Sequence, residues 1–116
     1  MLYQDIFPGS LSGHSMNLIA DIFDKVPNIS IVTQIEALSW VNAEKEKIVE
    51  EFIGDSNIMP ITQQIVEMCV RLRRNRNIKT PDAIIAATAI VHEMVLVTCD
   101  KDFSDIKYLK VLYPDE

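Results

Sequence analysis

Little in this sequence supports the commoner kinds of chemical site. There are two cysteines, Cys69 and Cys99, both in apolar surroundings and without metal-ligand spacing. That excludes a disulfide-framed secreted domain and fits a reducing, cytoplasmic setting. The two histidines, His14 and His92, have no partner at a useful spacing; His14 reads as a loop residue and His92 as a helix-surface or packing residue. No glycine-rich phosphate loop and no nucleophile elbow occur. No apolar run approaches the roughly 18 residues a membrane helix needs. The opening residues, MLYQDIFPGS, lack the basic start and apolar stretch of a secretory signal. Repeats and low-complexity segments are also missing.

What is present suits a single domain spanning residues 1–116, with 48% apolar composition to supply one core. The formal net charge of −6 argues against a protein that coats nucleic acid with a generally basic surface. The average conceals a local reversal. Residues 71–79, RLRRNRNIK, hold five of the eleven Lys and Arg and no acid, which leaves six basic against seventeen acidic residues elsewhere, a balance of −11.

Along the chain, apolar periodicity alternates between short strands and helices. A short strand is possible within residues 2–7 before Pro8-Gly9 stops it, and Ser15 to Val26 has the spacing of one helical face. Ile29 to Val32 reads as a buried strand. Helices follow over Thr33–Asn42 and Glu44–Ile53, the second closed by Gly54. Ile58 to Ile61 is a strand that Pro60 confines to an edge. Ile61 to Arg74 is a helix with Ile65, Met68, Cys69 and Leu72 inward, and Asn75 to Lys79 is a loop. The next helix has Thr80 as cap, Pro81 at its first position and Asp82 in its first turn, and continues to Met94 through mostly small apolar residues. Val95 to Val97 is a buried strand, residues 103–106 form a helical turn, and Leu109 to Leu112 form a last strand. This alternation predicts an α/β fold with a parallel sheet.

Three acids then stand out. Glu36 completes a capping box with Thr33, or serves as a ligand. Asp82 complements a helix dipole, and Asp100 caps the turn after it, unless both are ligands. Asp102 and Asp105 read as solvated charges. Each of the first three lies just past a strand or at a helix start, so all would meet on the carboxyl rim of a parallel sheet, where α/β folds bind ligands. Gathered carboxylates repel unless a cation lies between them. Oxygen donors alone suit Mg²⁺ or Mn²⁺ rather than zinc, and such a site activates water against a phosphodiester. The basic stretch would steer a polyanion to it, or else is a solvated helix end.

The segment Thr80-Pro81-Asp82-Ala83-Ile84-Ile85-Ala86-Ala87-Thr88-Ala89, with Leu96-Val97-Thr98-Cys99-Asp100-Lys101-Asp102-Phe103 after it, resembles the PIN domain of VapC-type toxin ribonucleases. Ile31-Val32-Thr33-Gln34-Ile35-Glu36-Ala37-Leu38-Ser39 resembles the second acidic motif of that family. The resemblance implies a three-layer fold with a short parallel sheet between helices, and a Mg²⁺- or Mn²⁺-dependent endoribonuclease that is usually dimeric and neutralised by a small antitoxin. By motif position Glu36, Asp82 and Asp100 would be catalytic metal-binding acids. Thr98 would support the site, and Asp102 would be a second candidate for the last acid. Arg71, Arg73, Arg74, Arg76 and Lys79 would meet RNA.

One departure bears on activity. The family opens with a central strand ending in Asp-Thr-Asn or similar, and that Asp is a principal metal ligand. Here Asp5 follows Leu2-Tyr3-Gln4 and precedes Ile6-Phe7, a poor substitute. The first central strand is therefore expected to be missing or replaced, through a coding start placed too late or through decay to an inactive member. A vacant central slot would strand two rows of backbone donors and acceptors, so residues 1–7 or a partner chain should fill it. Two rivals to the nuclease remain: an inactive PIN-like module that binds RNA or an antitoxin-like protein, and a small α/β domain whose acids only cap helices.

Overall fold

The computed structural model describes residues 1–4 and 26–114. Strands β1 (Leu2–Tyr3), β2 (Asn28–Ser30), β3 (Asn57–Met59), β4 (Leu96–Val97) and β5 (Val111–Leu112) form a sheet in the order β3-β2-β1-β4-β5. Every neighbouring pair runs parallel. Helices α1 (Ile31–Trp40) and α2 (Glu46–Gly54) connect β2 to β3. Helices α3 (Gln63–Asn75) and α4 (Thr80–Val91) lead from β3 across to β4, and a 3-10 turn, Lys101–Phe103, follows β4. The helix expected over Ser15 to Val26 falls almost wholly outside the described residues.

The central slot is filled from this chain's own start. Leu2 pairs with Asn28 on one side and Leu96 on the other, and Tyr3 with Ile29 and Val97. Leu2 N–H donates to the Val95 carbonyl at 2.8 Å and Gln4 N–H to the Val97 carbonyl at 3.0 Å. The first strand is thus replaced by residues 2 and 3 rather than missing, which satisfies the inner rows of backbone groups. What the strand lacks is the Asp-Thr-Asn ending: Gln4 follows Tyr3, and Asp5 lies outside the described residues.

Side chains alternate across this sheet with the period of two that a strand dictates. Leu2 and Leu96 face one core, with Ile65, Cys69 and Leu72 of α3 and Ala83, Ala86 and Ala87 of α4. Tyr3, Ile29 and Val97 face the other core, with Val49, Phe52 and Ile53 of α2. The small residues of α4 let it lie close against both α3 and the sheet, and Ala83, Ala86, Ala87 and Ala89 are wholly buried. The result is three layers, with β1 and β4 buried on both faces.

Element ends differ from the expected ones for identifiable reasons. Ser30, not Thr33, caps α1: its Oγ accepts from Val32 N–H at 3.1 Å. Thr33 therefore falls at the third helical position and Glu36 at the sixth, too far along to reach back to the cap, so there is no capping box. Lys79 takes the cap position of α4, which moves Thr80 and Pro81 to its first and second residues and Asp82 to the third. Gly54 ends α2 inside the helix, with Asp55 as the C-cap at φ −89°. Strand β3 does lie at the sheet edge, with Pro60 just beyond it. Helix α4 stops in a Schellman motif, Met94 N–H donating to Ala89 and Glu93 N–H to Ile90, with Glu93 at φ 54°.

Candidate metal centre

The sheet order places β1 between β2, which precedes β3 on one side, and β4, which precedes β5 on the other. The chain reverses its direction of travel across the sheet at that point, and the crevice beyond such strand ends is where α/β sheets hold ligands. Gln4 leaves β1 there, Thr98 and Asp100 leave β4, and α4 brings Asp82 in on its first turn.

Three carboxylates meet at this crevice. One oxygen each from Asp82, Asp100 and Asp102 lie within 4.8 Å of one another, with Asp82 and Asp100 half-buried and Asp102 exposed. Burial pushes the Asp82 carboxyl above its ordinary value of 3.8, and the neighbouring charges of Asp100 and Asp102 push it the same way, against a smaller pull from Lys79. A group of oxygen donors that repel one another in this way fits a hard divalent cation. The chemistry of the donor set is what supports that fit.

The positions of Asp100 and Asp102 follow from local hydrogen bonds. Thr98 is fully buried. Its hydroxyl donates to Gln4 Oε1 and accepts from Asp100 N–H at 3.0 Å. Asp100 Oδ1 in turn accepts from Asp102 N–H at 2.9 Å, capping the 3-10 turn. Thr98 thereby ties the end of the central strand to the turn that carries two of the acids. The expected cap role of Asp100 and its place among the acids are both present in one side chain, since one carboxylate oxygen serves the turn and the other remains. Asp102, a solvated charge by its residues and a second candidate for the last acid by resemblance, joins the group because the 3-10 turn folds it back.

Glu36 stands apart from this group. It is half-buried on α1, a helix that packs against α4. Thr33, one turn earlier on the same face, is buried, and its Oγ1 has no hydrogen-bond partner among the described residues. A buried hydroxyl without a partner is uncommon and marks a place where a ligand or water would be accepted. Sequence reasoning missed Thr33 as anything beyond a cap, and it missed Gln4 entirely; the only signal for Gln4 was its place directly after the β run.

The basic residues do not form one face. Arg73 Nε donates to the Ile78 carbonyl at 3.1 Å, bracing the loop between α3 and α4. Arg73 and Arg74 also line an apolar groove of about 610 Å³ between those helices, with Ile61, Val66 and Val70. Arg76 pairs with the Asp105 carboxylate at 2.8 Å, and Asp105 is exposed, a solvated charge within a surface ion pair. Lys79 lies at the start of α4 near Asp82, and Arg71 is exposed on α3.

Solved structures share this architecture. A toxin–antitoxin complex from Klebsiella pneumoniae has a chain 28% identical to this one, with a TM-score of 0.68 over 99% of this chain and 98% of that one. VapBC2 from Rickettsia felis, bound to a DNA fragment from its promoter, has a chain 18% identical, with a TM-score of 0.74 over 97% and 98%. VapBC-1 from nontypeable Haemophilus influenzae has one 20% identical, with a TM-score of 0.73 over the full length of both. The latter two likenesses are of fold alone. No curated protein matches the chain in sequence. The profile of the PIN domain matches residues 14–108, a span that contains Glu36, Asp82, Asp100 and Asp102, and this protein belongs to the PIN domain family.

Proposed function

We propose that this chain is a metal-dependent endoribonuclease of toxin–antitoxin type, hydrolysing RNA phosphodiesters in the cytoplasm. The observation that carries the reading is the convergence of Asp82, Asp100 and Asp102 on the carboxyl rim of a parallel sheet. Those three would hold Mg²⁺ or Mn²⁺, with Glu36 approaching from α1. A divalent ion there supplies Lewis-acid activation of water and neutralises charge on the scissile phosphate. Thr98 keeps Asp100 and Asp102 in register through its two hydrogen bonds. Burial and the charges of Asp100 and Asp102 raise the Asp82 pKa, and a cation held among the three carboxylates would relieve that repulsion. Arg71, Arg73, Arg74, Arg76 and Lys79 would draw the RNA backbone toward this rim. The toxin–antitoxin nature of the similar structures supports an antitoxin partner for this chain; the homodimer is carried over from the family resemblance alone.

A second reading, a PIN module that binds RNA or an antitoxin-like protein without cutting, is favoured by one observation: the central strand ends in the neutral Gln4. The two are separated by incubating single-stranded RNA with the protein and Mn²⁺ or Mg²⁺. The enzyme reading requires cleavage that EDTA abolishes and that Asp82→Asn reduces by about 100-fold or more, beyond the 10–100-fold typical of outer-sphere residues. Absence of cleavage at every metal concentration would leave the binding module.

A further inference from the structure

The basic stretch is divided by the fold, and one half of it meets residues that were not part of it. A cavity of about 270 Å³ lies where the last turns of α3 meet the loop between the 3-10 turn and β5. Arg71, Asn75 and Arg76 border it from α3 and its end, and Lys107 and Tyr108 from the loop. Met68 and Leu72 supply an apolar floor.

Tyr108 is the unusual member. It is 72% exposed and holds φ at 70°. A bulky residue in the left-handed region is an outlier that the surrounding structure must enforce, and here the enforced conformation carries an aromatic ring out of the core. Lys107 Nζ lies 5.1 Å from the ring centroid, within cation–π range. Asp105, close by in sequence, is engaged by Arg76, and among the described residues no ion pair involves Arg71 or Lys107, on a protein that is acidic elsewhere. The volume falls just below the roughly 300–1,000 Å³ of a drug-sized ligand site, enough for one planar group and too little for a folded partner.

We propose that this cavity is a subsite for one nucleotide of a single-stranded nucleic acid, with its base stacked on Tyr108 and adjoining phosphates met by Arg71 and Lys107. Stacking on an aromatic beside a basic track is how single strands are held without sequence preference. The subsite is mechanically joined to the acidic rim, because Asp102 and Tyr108 are six residues apart on one segment. Six residues span at most about 20 Å, so a strand lying at the acids passes this cavity within a few nucleotides. That the strand is RNA rests on the proposed nuclease function; the stacking itself does not.

The test is binding without cleavage. Fluorescence anisotropy of a short labelled single-stranded RNA is followed in EDTA, over a range of salt. Tyr108→Leu should weaken binding about fivefold or more, while Tyr108→Phe, which keeps the ring, should restore wild-type affinity. Arg71→Ala and Lys107→Ala should each lower the slope of log K against log salt by about 0.7. Affinity for duplex RNA, whose bases cannot stack on a side chain, should not respond to Tyr108→Leu. Wild-type affinity in Tyr108→Leu, no binding by the wild type, or an equal loss for duplex and single strand would each overturn the subsite and leave the cavity to a protein contact. Tight single-strand binding that depends on Tyr108, with no cleavage in Mn²⁺, keeps the subsite and removes the nuclease. Cleavage with Tyr108→Leu binding unchanged does the reverse.

Discussion

The two halves of the acidic rim are held in place by different means. On the β4 side, hydrogen bonds hold the two acids of the turn: Thr98 to Gln4 and to the Asp100 N–H, Asp100 to the Asp102 N–H. On the α1 side, the buried Thr33 hydroxyl has no partner among the described residues and Glu36 is outside the three-acid group. The first arrangement is fixed by strand ends, which cannot move without breaking the sheet. The second depends on α1, whose start is capped by Ser30. Preorganised groups cost no rearrangement when charge must be held, so the α4–β4 half should carry most of the binding and the α1 half should adjust to what is bound.

The largest expected effect tests that ranking directly. Asp100→Asn should reduce metal-dependent RNA cleavage by about 100-fold or more, whereas Glu36→Gln should cost about tenfold, in the range of groups that act through the inner ligands. Rates measured at saturating Mn²⁺ for both variants decide it. Equal losses would mean that α1 closes onto the site and that the two halves are one.

Thr98→Val comes next, because it leaves the shape of the strand end while removing both hydrogen bonds. Gln4 Oε1 and the Asp100 N–H lose their shared partner, at about 1–3 kcal/mol for groups left unsatisfied in a buried setting. Urea unfolding should show that loss, and Mn²⁺ affinity should fall about 10–100-fold. A destabilised protein with unchanged metal affinity would show that Thr98 holds the sheet together without positioning the acids.

The same contrast governs what could be read from the sequence. The Thr80–Phe103 segment was legible because its signals are local: a proline near a helix start, a run of small apolar residues, and a β run followed by acids. The parallel sheet was legible from alternation alone. Strand β1 was legible as a possible short strand within residues 2–7 and as the filling of the central slot, but its place rested on the empty slot rather than on its pattern, since two residues are too few for a period of two. Leu2 and Tyr3 become a strand because β2 and β4 supply ladders on both sides. The capping box at Thr33 and Glu36 was a misreading of a true pattern: Ser30 caps first, because β2 ends there and its hydroxyl is within reach of Val32 N–H. Asp102 read as a solvated charge from its residues alone and became a candidate acid only through the family resemblance, because its convergence with Asp82 is created by a 3-10 turn, which leaves no periodic trace. The basic stretch looked like one uniform patch in sequence; in the fold Arg73 braces the loop, Arg76 pairs with Asp105, and Arg71 and Arg74 line grooves along α3.

The smallest effect is one of stability, and it changes sign with metal. Asp82 is raised above its ordinary 3.8 first by burial and then by Asp100 and Asp102. A group whose folded pKa is raised adds stability that is complete below the unfolded value and is lost as pH rises through the folded value. Metal-free wild-type protein should therefore lose stability relative to Asp82→Asn as pH climbs from 3.8 into the folded range, and remain the less stable of the two at neutral pH. The site is open enough to solvent that the difference should be on the order of 1 kcal/mol at most. Adding Mn²⁺ at about 100 times its Kd should stabilise the wild type by about 2.7 kcal/mol, and the asparagine variant by less. Thermal melts of both proteins across pH, with EDTA and with Mn²⁺, should therefore cross over. If the asparagine variant is the less stable in EDTA at neutral pH, the carboxylates do not repel one another there, and the acidic rim is a set of separate helix and turn caps.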